Sequence, residues 1–315
     1  MLYKNLGSTG LSVSHIGLGG EWLNGKDKKT VKSIIETAIQ GGINFFDFLF
    51  NEKTYITNIA KAIKDYREDL ILQTHIGTGE KDGKPQRDRD FERNKFFFQR
   101  TLSKFNTDYV DILNIQFVRE KEYENLTNKK GLLTLANQFK KEGKARFIGL
   151  STHNAIIALN AIEDKLVDTI MFPLNMINHN LEYRSELLSS IKKSNIGLIG
   201  IKPFAGGKLL EKNHTVYIAK YQTGGLSMRK KIPKNISIYH CIHYCLNQEG
   251  VSTIIPGVHK KEELDEILQY FDLTDDEKNY STVFKELLNN KFDLKEKIRN
   301  DFKIYHSLFN IRYKK

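Results

Sequence analysis

The sequence predicts an α/β protein, a (β/α)8 TIM barrel with an N-terminal hairpin and a C-terminal helical extension. Two observations carry that prediction. Short apolar runs alternate with amphipathic stretches eight times between residues 14 and 270. No linker, low-complexity segment or shift in composition divides the 315 residues, and that length suits one such barrel.

The elements follow in order. Residues 1–13, with Gly7-Ser8-Thr9-Gly10 as a turn, read as a hairpin ahead of the barrel. Residues 14–19 read as the first strand. Residues 28–40 follow, with Val31, Ile34, Ile35, Ala38 and Ile39 at helical spacing and Gly41-Gly42 as the stop. Strand two is 43–47, helix two 55–63 and strand three 69–75. Residues 78–90 are polar and read as an extended loop. Helix three is 91–102, strand four 109–116, helix four 131–141 and strand five 145–151. Helix five is 154–162, with His153 or Asn154 as a cap, and strand six is 168–173. Helix six is 181–191 and strand seven 196–203. A long loop follows, then helix seven at 237–247, strand eight at 251–256 and helix eight at 260–270. The barrel domain is expected over 1–271 and the extension over 272–315.

Composition narrows the class. Hydrophobic residues make up 40% of the chain, enough for a large core. No run approaches the 18 apolar residues of a membrane span, and the N-terminus lacks a signal pattern, so a cytoplasmic location is expected. The net charge of +11 comes mainly from scattered lysines, which read as a solvated surface. No basic patch interleaved with aromatics points to nucleic acid. Cys241 and Cys245 lie one helical turn apart, beside His240 and His243. They read as core packing, because no second pair completes a metal site. No metal or membrane partner is expected; oligomeric state is unreadable.

Chemistry in this architecture sits at the C-terminal ends of the strands. Asp47 ends the apolar run Gly42-Ile43-Asn44-Phe45-Phe46-Asp47, where a charge is costly unless used. His75 ends strand three, Gln116 strand four, Ser151 strand five and Lys202 strand seven; Asn175 follows strand six. Asp47 and His75 on neighbouring strands can form a carboxylate–imidazole pair, and Glu52 lies on the loop just beyond. That triplet suits proton transfer or a divalent metal. Phe204-Ala205-Gly206-Gly207-Lys208 and Pro256-Gly257-Val258-His259-Lys260-Lys261 are loops whose backbone can approach phosphate, which points to a dinucleotide across that rim. Gly17-Leu18-Gly19-Gly20 looks like a dinucleotide fingerprint but lacks the third glycine at its place.

These landmarks resemble the aldo-keto reductase superfamily over roughly residues 1–270. The quotable stretches are 3–14, 42–47, 107–113 and 141–151, with Lys202-Pro203-Phe204-Ala205-Gly206-Gly207 and Ile254-Ile255-Pro256-Gly257. The resemblance implies NADP(H) bound in extended form at the strand ends and hydride transfer to the carbonyl of a small-molecule substrate. The family's catalytic set is Asp, Tyr, Lys and His. Only Asp47 matches; Glu52, His75 and Gln116 stand at the other three positions, and Tyr55 lies three residues past the Tyr position. Ser151 and Asn175 match the nicotinamide contacts, whereas Thr152, Met171 and Ile201 do not. Lys202, Phe204, Gly206, Gly257, His259 and Lys260, on or beside the loops after strands seven and eight, are expected at the cofactor; against the family pattern His259 stands where Ser or Thr is common, and Glu263 and Ile267 replace the adenine-side Gln and Asn. A related branch from anaerobic bacteria carries a C-terminal iron–sulfur domain. No Cys follows Cys245, so no such cluster is expected.

Three readings follow. The first is a reductase with a rebuilt proton relay, in which His75, oriented by Asp47 and tuned by Glu52, donates the proton and Gln116 holds the carbonyl oxygen. The second is a non-catalytic barrel binding a nucleotide or a partner protein. The third is a lyase or metal-assisted reaction using Asp47, Glu52 and His75.

Overall fold

The computed structural model describes residues 1–211, 215–218 and 228–289. Eight parallel strands form its centre: β1 (Leu18–Gly19), β2 (Phe45–Phe48), β3 (Ile71–Ile76), β4 (Val110–Ile115), β5 (Ala145–Ser151), β6 (Thr169–Pro173), β7 (Gly197–Ile201) and β8 (Val251–Ile255). They are hydrogen-bonded in sequence order. The Ile16–Ile254 and Gly19–Gly257 bridges join β1 to β8 and close the barrel.

The outer helices are α1 (Lys28–Gln40), α2 (Lys53–Ile63), α3 (Phe91–Phe105), α4 (Leu132–Lys141), α5 (Ala155–Glu163), α6 (Arg184–Ser194), α7 (Ile238–Leu246) and α8 (Lys261–Leu268). Each buries an apolar stripe against the strands. Val31, Ile34, Ile35 and Ala38 of α1 are all buried, as their spacing requires. Asp27 caps α1 by accepting from the amides of Lys29 and Thr30, and Asn154 caps α5 by accepting from the amide of Ile156.

Phe45, Ile112, Met171, Ile199 and Ile255 fill the barrel interior from five different strands. The N-terminal hairpin, Tyr3–Asn5 paired antiparallel with Ser12–Ser14, plugs the lower end with Leu6, Leu11 and Val13. Its turn lies so close to β7 that a Cβ on Gly7, already at φ +54°, would stand 2.3 Å from the backbone nitrogen of Gly197. The lower mouth is therefore sealed, and any ligand enters at the strands' C-terminal ends.

Several boundaries differ from those predicted. The first strand is shorter, because Ser12–Ser14 belongs to the hairpin. Helix α6 starts at Arg184 because Tyr183 takes a left-handed φ of +61°, which interrupts helical geometry. Residues 78–90 are not an extended loop throughout: Thr78–Lys81 and Lys84–Arg87 form a hairpin. Its turn is Asp82-Gly83, with φ of +51° and +70°, a sequence pair that favours tight hairpins. The long segment after β7 likewise contains a hairpin, Thr215–Ile218 with Met228–Lys231.

Beyond α8, Asp275–Lys278 and Ser281–Asn289 are helical. Val283 and Leu287 are buried, and Phe284 packs on Tyr244 of α7 with ring centroids 5.2 Å apart. The expected extension over 272–315 lies outside the described residues beyond Asn289. Cys241 and Cys245 are buried and free. Burial pushes the Cys241 thiol up to about 12, which leaves it a protonated core side chain.

Candidate active site

A cleft of about 1000 Å³ opens over the strands' C-terminal ends. Asp47, the third residue of β2, lies in parallel register beside Gln73 of β3. Gln73 Nε2 donates to Asp47 Oδ1 at 2.7 Å. His75 Nε2 meets the same oxygen at 2.6 Å. On the far side of the ring, Asn114 Nδ2 of β4 lies 3.1 Å from His75 Nδ1. If Asn114 donates there, Nδ1 accepts and the proton sits on Nε2, pointing at Asp47. Three adjacent strands thus fix one carboxylate through one oxygen.

This arrangement bears on the expected role of His75. Its side chain is fully buried, and both ring nitrogens are engaged within the protein. His75 lines the cleft beside Asp47, but Nε2 is engaged by Asp47 and Nδ1 by Asn114, an arrangement suited to holding the carboxylate. Asp47 is the partner with some exposure, and its Oδ2 accepts no hydrogen bond from any described residue.

Glu52 is corrected. Its Oε1 accepts from the amide of Thr54 and its Oε2 from the amide of Tyr55, both at 2.7 Å. The carboxylate is the cap of α2, and the cleft wall is built without it. The metal-assisted reading required Asp47, Glu52 and His75 to converge. They do not, and no group of three His, Cys, Asp or Glu side chains assembles among the described residues. Tyr55 is no substitute donor. Its ring is buried in α2, and its hydroxyl donates to the carbonyl of Gly20 at 3.0 Å. Burial, reinforced by Asp47, pushes that hydroxyl well up from its ordinary value.

The remaining positions divide. Gln116, Ser151, Lys202, Phe204, Gly206, Gly257 and His259 line the cleft; Asn175 and Lys260 do not. Asn175 Oδ1 accepts from the amides of Ile177 and Asn178, while its Nδ2 donates to the carbonyl of Lys202. Its amide is consumed in fixing the ends of β6 and β7. Lys260 sits exposed at the entrance to α8. Ser151 Oγ accepts from the amide of Phe117 at 2.7 Å.

The loop after β7 offers an anion cradle. Gly206 and Gly207 take φ of +68° and +84°, with nothing within 4 Å of a Cβ built on either. The amides of Gly206, Gly207 and Lys208 donate to no described residue. Successive free N–H groups in a tight turn, flanked by Lys202 and Lys208, attract phosphate oxygens. Across the cleft, Trp22 lies against Gly257 and His259; the rings of Trp22 and His259 are 4.4 Å apart. These residues fit a dinucleotide diphosphate. The α8 end is different. Glu263 Oε2 already accepts from the amide of His259 at 2.7 Å, and Glu266 lines the cleft beside it.

Of the wall after β4, sequence reasoning reaches Phe117, as a candidate for an aromatic pocket with Trp22, Phe48 and Phe50, and misses its polar residues. Phe117 lines the cleft with a left-handed φ of +43°, and Arg87, Arg119 and His153 line it too. His153 stacks edge-on to Phe117 at 4.7 Å. Its ring keeps solvent exposure on the cleft side. The surrounding walls and then Lys202 still push its pKa down to about 4, so it stands neutral near pH 7. The residue after a strand-end Ser-Thr pair was the available signal for His153. None pointed to Arg87, which reaches the site only through the hairpin.

A barrel with its cleft and a strand-end carboxylate at the strands' C-terminal ends has the layout of a (β/α)8 enzyme site, and the family match supplies the class. The sequence profile of the Aldo/keto reductase family matches residues 15–285, and the chain belongs to that family. Among its relatives, it is 25% identical over 286 residues to the uncharacterized oxidoreductase YqkF of Bacillus subtilis, covering 85% of this chain and 90% of YqkF. It is 23% identical to the aldo-keto reductase YhdN of the same organism, covering 92% and 95% of the two chains. The fold matches the holo form of aldo-keto reductase AKR11C1 from Bacillus halodurans with a TM-score of 0.73, at 20% identity, over 92% of this chain and 97% of that one.

Proposed function

We propose that the protein is a nicotinamide-dependent oxidoreductase, using NADP(H) or NAD(H), that interconverts a carbonyl compound and its alcohol at the Asp47 end of the cleft. The observation that supports this reading is the sharing of one cleft by Asp47 and the free amides of the Gly206–Lys208 turn. When bound, the nicotinamide supplies or accepts the hydride.

The chain's residues supply position and the proton. Lys202, Lys208 and the glycine turn hold the diphosphate. Ser151, Met171 and Ile201 form the floor beneath the reacting groups. Gln116 stands on the next wall, where its amide can donate to the substrate oxygen. Asp47 Oδ2 takes the proton from an alcohol; in reduction the same atom returns it. His75 and Gln73, both donating to Oδ1, keep Oδ2 aimed into the cleft and stabilise the carboxylate left behind. Asp47, His75 and Gln116 thus have roles in this reading, and Glu52 has none.

Trp22 is the chain's single tryptophan and lies against the cofactor loop, so it reports binding directly. Titration with NADPH and with NADH should change its fluorescence saturably below millimolar concentration. Benzaldehyde should then oxidise the bound reduced cofactor, and Asp47→Asn should abolish that turnover while leaving the fluorescence change. No saturable change with either nucleotide overturns the reading.

A further inference from the structure

Phe117 holds a costly conformation. A bulky side chain at φ +43° is strained by roughly 1 kcal/mol or more. The strain places its ring on the cleft wall between two guanidiniums. Arg87 Cζ lies 5.5 Å from the ring centroid and Arg119 Cζ 5.3 Å. All three residues line the cleft.

The charge at this wall is unbalanced. Glu122 is the carboxylate that serves it. Glu122 Oε1 accepts from Arg87 Nε at 3.2 Å and from Arg89 Nε at 3.0 Å, and Arg87 Nη2 also donates to Oε2. One negative charge is therefore divided between two guanidiniums. Arg89 is spent structurally, with Nη1 donating to the carbonyl of Gly77 and Nη2 to those of Gln116 and Phe117. Among the described residues, Arg119 has no carboxylate within ion-pair distance. Lys202 adds a further cation to the same cleft. The cleft's other carboxylates lie elsewhere. Glu21 is on the turn after β1, across the barrel from β4; Asp47 is at the end of β2; Glu263 and Glu266 are on α8.

We infer that the substrate carries a carboxylate, which docks on Arg119 with help from Arg87 beside the ring of Phe117, while its carbonyl or hydroxyl group reaches Asp47. A guanidinium fork matches the two oxygens of a carboxylate. Phe117 holds both forks by cation–π contact, which reduces the freedom they would otherwise lose on binding. This inference rests on the proposed oxidoreductase activity for its substrate, but its binding arm does not.

The test compares 4-carboxybenzaldehyde with benzaldehyde in wild type, Arg119→Ala and Arg119→Lys. In wild type, kcat/KM for the carboxylated aldehyde should exceed that for the neutral one by tenfold or more, mainly through KM. Arg119→Ala should bring the ratio towards one, and Arg119→Lys should restore part of it. Equal kcat/KM values for the two aldehydes in wild type overturn the proposal while the oxidoreductase reading stands. Calorimetric titration with benzoate supplies the arm independent of turnover. Benzoate should bind wild type and lose at least tenfold in affinity in Arg119→Ala. If neither aldehyde is turned over but benzoate binds in this way, the carboxylate site stands and the oxidoreductase reading falls. Benzoate binding that is unchanged in Arg119→Ala overturns the site, as does inorganic phosphate that displaces benzoate at lower concentration than benzoate itself binds.

Discussion

His75 Nε2 lies 2.6 Å from Asp47 Oδ1, across the β2–β3 pair, and no polar atom of His75 is left for the cleft. The imidazole is a holder of the carboxylate, and the two residues should respond differently to mutation. Asp47→Asn is isosteric and still accepts from Gln73 and His75, but it presents an amide where Oδ2 was. In the proposed reaction kcat should fall on the order of 10²–10⁴-fold, with little change in cofactor affinity.

His75→Gln and His75→Leu separate holding from proton storage. A glutamine Nε2 can reproduce the bond to Asp47 but cannot carry a proton at neutral pH. If holding is the role, His75→Gln keeps most of the activity. His75→Leu leaves a largely buried carboxylate with one donor fewer and should lose stability by about 1–3 kcal/mol. Steady-state kinetics and chemical denaturation of the two variants read both effects. Equal loss of kcat in both, without loss of stability, would mean that His75 carries the proton after all.

Glu52 tests the same division from the other side. Its two oxygens cap α2, so Glu52→Ala should cost about 1 kcal/mol, or about 2 °C in Tm, by freeing the amides of Thr54 and Tyr55. Because Glu52 is absent from the cleft wall, kcat should be unchanged within a factor of two. Glu52→Gln should recover part of the stability. A variant that melts normally yet loses activity would return Glu52 to the relay.

The fold was legible because its signals are local. Val31, Ile34, Ile35 and Ala38 show their period directly, and Asp47 ends an apolar run in plain view. The site was less so, because side-chain direction depends on partners distant in sequence. Nothing around His75 announces that Asn114, 39 residues away, occupies its second nitrogen. With α2 read from residue 55, Glu52 falls on a loop and suits a proton relay; the helix begins at Lys53, which makes Glu52 its cap. Asn175 reads as a nicotinamide contact by resemblance, but its amide is drawn into the turn formed by residues 176–178. Arg87 enters the cleft only with the hairpin whose turn is Asp82-Gly83, and no local pattern shows in advance where that hairpin packs.

Glu263 bears on the choice between cofactors. Its carboxylate holds the His259 amide at the start of α8, and Glu266 lines the same end of the cleft. A further phosphate brought to that end meets negative charge and a donor already taken. NADH should therefore bind at least as tightly as NADPH. Glu263→Gln should shift the ratio of their Kd values towards NADPH by about threefold to tenfold, the effect of removing one partly screened charge. Trp22 fluorescence measures both constants. A strong NADPH preference in wild type, unaltered by Glu263→Gln, would place the extra phosphate elsewhere.

Acid should loosen the contact between α7 and the helices after α8. His179 Nδ1 lies 2.7 Å from the Tyr244 hydroxyl, with Arg184 Nη2 on the same oxygen, and its ring packs edge-on to Phe284. His243 meets the Tyr270 hydroxyl at 2.8 Å and faces Tyr280, with Lys278 and Asp275 nearby. Burial lowers the pKa of both imidazoles. Arg184 lowers that of His179 further; Lys278 lowers that of His243, and Asp275 opposes it in part. In the unfolded chain each takes a proton near 6.5, whereas in the fold each stays neutral to lower pH. The unfolded state then binds more protons in that window. Their contribution to stability is complete above about pH 6.5 and is lost as pH falls towards the folded values. Tm should drop between pH 7 and pH 5. His15, His153 and His240 are shifted the same way and share in the wild-type slope. His179→Gln keeps a polar partner for Tyr244 but removes one titrating group, so its Tm should fall less steeply over the same range. A slope identical to wild type would show that His179 takes up its proton without strain on the contact.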